Sequence, residues 1–356
     1  MRLSFFFVTL GIMLAALVRP TQATPEPGPY RLLQTEKVGG EGGFDYVYAD
    51  ADGRKLYVPR SGRPSGRVTV FDLDTLKPAG EIPNTNGVHG VAVDPASHHG
   101  FASSKPVVMF DTQTLQPIKN IEVEGNPDGI LFEPATQCIY LLSHRAPNVT
   151  VIKASDGSIA GTIDLGGAPE EAASDGNGHV YVDIEDKDNV AVVDAKAMKV
   201  TAHYDLGGKG GGPAGLALDA KNHVLFAFCH NPHVAVILNA EDGKILTTLP
   251  IGNGVDAGEF NPATMEAFSS QRDGTLTVIK ENSPTSFEVE QTVQTKPGAK
   301  TSTLDSKTNR IYLITAEQAP PAADQAGGQR PAGEQGRGGR GGRTVPGSFS
   351  ILVVGK

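Results

Sequence analysis

Short apolar runs separated by turn residues follow one another along most of this chain, and they do so in a repeating order. A segment ending in Asp, Glu or Asn comes first: FDYVYAD from Phe44, VHGVAVD from Val88, PDGILFE from Pro127, PEEAASD from Pro169, PAGLALD from Pro213, VDAGEFN from Val255 and AKTSTLD from Ala299. After a turn comes an apolar run such as KLYVPR, IYLLS, HVYVDI, VLFAF or IYLIT. A third run reads like RVTVFDLDT or NVTVIKASDG, and a fourth ends in Gly, as in GTIDLGG and TTLPIGNG. Runs this short, rich in β-branched residues and bounded by Gly, Asn, Asp and Pro, predict strands. Successive first segments are 44, 39, 42, 44, 42 and 44 residues apart, the spacing of a four-stranded propeller blade.

Seven units predict an all-β chain folded as a seven-bladed β-propeller. The seventh unit stops after its third strand, SFSILVVGK, and YRLLQTEKVGG at residues 30–40 supplies the missing one. Sharing a blade between the two ends closes the ring and removes exposed sheet edges. The words VHGVAVDP, KLYVPRSG, RVTVFDLDTLKPAGEIPNTNG and NVTVIKASDGSIAGTIDLGGAP resemble the YVTN (YncE-like) β-propeller repeat of exported bacterial proteins, over essentially the whole chain after residue 23. The family's Tyr-Val-X-Asn word is degenerate here: YVPR, YLLS and YVDI. The resemblance is specific for the fold and names no ligand. The chain contains no Trp, hence no Trp-Asp dipeptide, which separates it from the WD40 class.

Residues 1–23 read as a signal peptide: Arg2, a 14-residue apolar stretch from Phe5 to Val18, and the small residue Ala23 at the cleavage point. The stretch is short for a bilayer span. The expected product is periplasmic or secreted, with residues 24–356 forming one propeller domain and no transmembrane span. A monomer is expected. Losing Arg2 and Arg19 takes the formal charge from −9 to −11, which argues against nucleic acid as a partner. Cys138 and Cys229 lie in apolar strands of non-adjacent units and read as buried free thiols. Residues 318–346, EQAPPAADQAGG…RGGRGGRTVPGS around them, carry a Gly/Pro/Arg-rich insertion between two strands of the last blade and read as flexible.

The repeat sorts the carboxylates into two columns. Asp50, Asp94, Glu133, Asp175, Asp219, Asn261 and Asp305 end the first segments, where a side-chain acceptor for the following turn is wanted. The second position reads Asp45, His89, Asp128, Glu170, Ala214, Asp256 and Lys300, which no turn demands. The first segment should be the innermost strand, so this column forms a mostly acidic ring at one mouth of the axial channel. The ends of the second strands reach the same face with Arg60, His144, Arg145, Glu185, His230 and Arg272.

Three functions fit. A rigid binding scaffold takes a small molecule, glycan or protein at the acidic mouth; the absence of a nucleophile elbow, Walker loop, HExxH or CxxC motif favours it. A metal-assisted lyase or hydrolase, on a lactone- or sugar-type substrate, uses the same mouth. There Asp45, Asp128, Glu170 and Asp256 are the candidate ligands of Ca²⁺ or Mg²⁺, and His89, His144 and His230 the candidate catalytic bases. The Arg-Gly insertion offers a third, contact with nucleic acid or an acidic polymer.

Overall fold

The computed structural model describes residues 28–62, 66–319 and 344–356. The signal-peptide reading of residues 1–23 and most of the insertion lie outside the described residues. What remains is seven four-stranded antiparallel sheets. The innermost strands are Tyr48–Asp50, Val91–Asp94, Pro127–Glu133, Pro169–Ser174, Pro213–Asp219, Val255–Asn261 and Ser302–Asp305. In the last sheet Ser302–Asp305 pairs with Arg310–Thr315, which pairs with Ser350–Gly355, which pairs with Arg31–Lys37 near the chain start. The ring closes as the sequence predicts. Among the described residues the helical content is a single 3₁₀ turn, Glu185–Lys187, and no helix is long and apolar enough to cross a membrane.

Alternation along each strand sends apolar side chains sideways, into the neighbouring blade. The buried residues accordingly fall into seven clusters, each drawn from two adjacent blades. Leu56 and Phe71 of the first blade meet Tyr312 and Ile351 of the last, and Tyr140 and Val151 of the third meet Val182 and Val193 of the fourth. The recurring tyrosine of the second strand adds a bond across three of these seams. Tyr140, Tyr181 and Tyr312 donate their hydroxyls to the carbonyls of Ala195, Ala240 and Leu73 in the next blade, at 2.9, 3.0 and 3.0 Å. Both cysteines are buried and free.

The turn column does what its residue types suggest. Asp50, Asp94, Glu133, Asp175, Asp219, Asn261 and Asp305 each accept a backbone N–H two or three residues on, at 2.8–3.1 Å. At the axis the inner strands crowd. A Cβ on Gly129 would sit 2.7 Å from the carbonyl oxygen of Glu170, so the close approach of the third and fourth blades requires glycine.

The inter-blade tyrosines carry an internal control. Tyr57 occupies the same strand position, but its buried hydroxyl has no partner. Replacing Tyr140, Tyr181 or Tyr312 by Phe is expected to lower the unfolding free energy by about 0.5–1.5 kcal/mol each, with Tyr57→Phe neutral. Urea denaturation measures all four; an equal loss at Tyr57 would refute the staple role.

Candidate functional site

The second-position residues do converge on one mouth of the channel. Asp45, His89 and Lys300 lie just ahead of their short inner strands, while Asp128, Glu170 and Asp256 lie within theirs. The backbone there is pinned. Thr301 Oγ1 donates to the Asp45 carbonyl at 2.9 Å, Ser270 Oγ to the Lys300 carbonyl at 2.7 Å, and Ser103 Oγ accepts from Gly90 N, beside His89, at 2.8 Å.

The side chains form a continuous arc of alternating charge. Lys300 Nζ contacts Asp256 Oδ2 and lies 2.8 Å from Asp45 Oδ1. Asp45 Oδ2 is 2.8 Å from His89 Nδ1, which is also 3.2 Å from Asp128 Oδ1. His144 enters from the end of the neighbouring second strand. Its Nε2 stands 3.1 Å from Asp128 Oδ2 and 3.2 Å from Glu170 Oε1. The Tyr46 hydroxyl then reaches Glu170 Oε2 at 3.3 Å, from the first blade to the fourth. The arc covers six blades and breaks at the fifth, where Ala214 stands.

Proximity of opposite charge overrides burial at most of these groups. Burial would raise Asp45, but Lys300 and His89 hold it down at about 2. Burial also opposes the charged form of His89, yet the Asp45 hydrogen bond and the Asp128 charge raise it. The Glu170 hydrogen bond raises His144 to about 9 against its own burial, helped by the charges of Glu170, Asp128 and Glu185. Asp128 and Asp256 are the exceptions: burial wins over the two histidines at the first and over Lys300 at the second, and both pKa values are raised. The mostly acidic column is thus interleaved with Lys300, His89 and His144, which makes the mouth a ring of alternating charge.

The other second-strand residues divide. His230 lies beside the break: its backbone N–H bonds Gly212 O at 3.1 Å, and the Glu185 side chain comes close to the same glycine. Burial lowers the pKa of His230 despite the charge of Glu185, so it is the neutral histidine of the set. Arg272 is exposed and its charge acts on both His230 and Asp256. Arg145 is exposed one residue beyond His144. Arg60 is a correction. It is 2% exposed, with its guanidinium 3.7 Å over the Phe349 ring and Nη2 donating to Gly39 O at 2.8 Å. Gly43 N bonds Ser61 O, so Ser61, not Arg60, holds the register position that His144 holds in the third blade. One residue of offset turns a side chain from the mouth to the seam.

Behind the ring the channel holds a cavity of about 150 Å³ whose lining includes Tyr46, Glu171, Glu259 and Ser302. Glu171 Oε2 accepts the backbone N–H groups of Leu216 and Gly258 at 2.6 and 2.9 Å, tying the fourth blade to the fifth and sixth. Burial, then the Glu259 charge, push its pKa well up; burial raises Glu259 to about 8. The sequence reading missed Tyr46, Glu171 and Glu259. The signal was there for Glu259 in VDAGEFN, a carboxylate where the other units carry Tyr, Leu, Ala or Thr.

Two triplets converge tightly enough to hold a cation: Asp45, His89 and Asp128, and Asp128, His144 and Glu170. Asp256, also expected as a ligand, belongs to neither; Lys300 holds it.

No protein-family model matches the chain, and no curated protein matches it in sequence. Solved structures match it in shape. The structure of U3-55K superposes with a TM-score of 0.68 at 10% identity, covering 93% of this chain and 99% of that one. The crystal structure of RRP9 WD40 repeats gives 0.68 at 10% identity, covering 92% and 98%. A chain of the mitotic checkpoint complex gives 0.68 at 11% identity, covering 87% and 96%. The fold is a β-propeller. The likeness goes no further than the fold, and a propeller scaffold fits a binding role.

The raised histidines give the propeller a pH signature. Protonated His144 contributes stability that is complete below its unfolded value, about 6.5, and that is lost as pH rises through its folded value of about 9. The melting-temperature advantage of the wild type over His144→Gln is therefore expected to shrink between those limits. Melting curves at intervals across the window check this; a constant or growing advantage would contradict it.

Proposed function

We propose that this chain is an exported YVTN/YncE-like propeller that acts as a rigid binding scaffold and takes a saccharide or related polyol at the mixed-charge mouth. The observation that carries the reading is the alternation of donors and acceptors from Asp256 through Lys300, Asp45, His89, Asp128 and His144 to Glu170. A hydroxyl group both donates and accepts. A ligand with several adjacent hydroxyls matches alternating partners, whereas a simple anion meets carboxylate repulsion at every second position. The break at Ala214 supports the same reading, since it leaves one side of the ring open beside neutral His230, Glu185 and Arg272. Periplasmic or secreted location and the propeller family rest on the leader-like segment and the repeat words.

A metal-assisted lyase or hydrolase at the same mouth is the second reading, favoured by the two histidine–carboxylate triplets. Contact with nucleic acid or an acidic polymer through residues 318–346 has the formal charge of −9 against it.

Isothermal titration with a panel of neutral, amino and uronic-acid oligosaccharides tests the binding reading. One class is expected to bind, and Asp128→Asn to weaken it by about tenfold or more, since a hydrogen bond to a charged group contributes roughly 1.5–3 kcal/mol. No binding across the panel, or binding that Asp128→Asn leaves unchanged, would count against it.

A further inference from the structure

The two triplets share one residue, and they share it in a particular way. Asp128 presents Oδ1 to His89 and Oδ2 to His144. Beyond each histidine stands one further carboxylate, Asp45 on one side and Glu170 on the other. The arrangement is near-symmetric about Asp128: carboxylate, imidazole, bridging carboxylate, imidazole, carboxylate. We infer that the mouth holds a pair of divalent first-row transition-metal ions bridged by the Asp128 carboxylate, one bound by Asp45 and His89 and the other by His144 and Glu170. The inference rests on reading this mouth as the functional site.

Three observations carry it. First, each imidazole places a single nitrogen against two carboxylate oxygens: His89 Nδ1 at 2.8 and 3.2 Å, His144 Nε2 at 3.1 and 3.2 Å. One N–H points one way and satisfies one oxygen; an ion at the centre engages all three donors. Second, the spacings fit. With metal–ligand bonds of about 2.1 Å, adjacent donors of an octahedral ion lie about 3.0 Å apart, and the donor atoms of each triplet lie within 4.8 Å of one another. Third, the outer carboxylates are already oriented. Asp45 gives Oδ2 to the triplet while Lys300 holds Oδ1, and Glu170 gives Oε1 while the Tyr46 hydroxyl holds Oε2. Such supporting contacts orient metal ligands.

The imidazole in each set selects against the Ca²⁺ or Mg²⁺ expected from the carboxylates alone and toward Mn²⁺, Fe²⁺, Co²⁺ or Zn²⁺. Three protein donors leave coordination positions free on each ion. Paired ions about 3.5–4 Å apart bind and activate water or a substrate oxygen between them. The ligand class this predicts is a hydroxylated or carbonyl-bearing molecule that bridges both metals.

The test uses the full exported chain, stripped with chelator, reloaded with Mn²⁺ or Zn²⁺, dialysed and analysed for metal by mass spectrometry. About two ions per chain are expected. His89→Ala and His144→Ala should each retain about one, and Asp128→Asn should lose affinity for both. Exposed Glu122→Gln should match wild type. Electron paramagnetic resonance of the Mn²⁺ form should show exchange coupling in wild type and an isolated ion in either histidine variant. Circular dichroism confirms that each variant is folded. No retained metal, or stoichiometry independent of Asp128 in folded protein, overturns the inference. Oligosaccharide titrations run in chelator separate the two claims: if no metal is retained, saccharide binding in chelator leaves the scaffold reading standing while the metal pair falls.

Discussion

Charge neutralisation at one mouth of a closed ring is the constraint on which this site depends. Seven inner strands bring their second residues to one circumference, and four of those residues are carboxylates: Asp45, Asp128, Glu170 and Asp256. Carboxylates this close cannot all stay ionised without a cation between them. The chain supplies one between each pair. Lys300 separates Asp256 from Asp45, His89 separates Asp45 from Asp128, and His144 separates Asp128 from Glu170. Protons on the histidines meet the requirement, and so would metal ions in their place, which is why the metal reading uses five of the seven side chains of the binding reading.

The scaffold makes that alternation durable. Apolar seams join every blade to the next, and tyrosine hydroxyls bridge three of them. Half-buried Glu171 holds two further blades by their backbone amides. At the chain ends, Tyr30 exchanges backbone bonds with the Gln291 side chain, its hydroxyl bonds Glu266, and Lys356 reaches the same carboxylate at 2.8 Å. A ring tied shut this way keeps its side chains at fixed separation, and fixed separation is what recognition at its mouth needs.

The fold was legible because it is periodic. Seven segments at a spacing near 42 residues, an orphan strand at each end, and an acceptor after every inner strand all follow from local rules. The ring was half legible. Its carboxylates stood out as a column, but its sign did not, because His144 arrives from a different strand and Lys300 was one basic member in a column of acids. Arg60 misled because counting from the end of a strand does not fix register; the offset at Ser61 turns it inward. Glu171 escaped notice as the second half of a Glu-Glu pair, and Tyr46 because a hydroxyl reaching from the first blade to the fourth leaves no mark in a local repeat.

Histidine-selective nuclear magnetic resonance through a pH titration tests the alternating ring most directly. The account predicts three separate behaviours in the metal-free protein: His144 titrating near 9 and His89 above its ordinary value, held up by their carboxylates, with His230 below its ordinary value. Resonances of all three titrating together near the unperturbed value of about 6.5 would mean that the carboxylates and imidazoles do not engage, and the account of the mouth would fall.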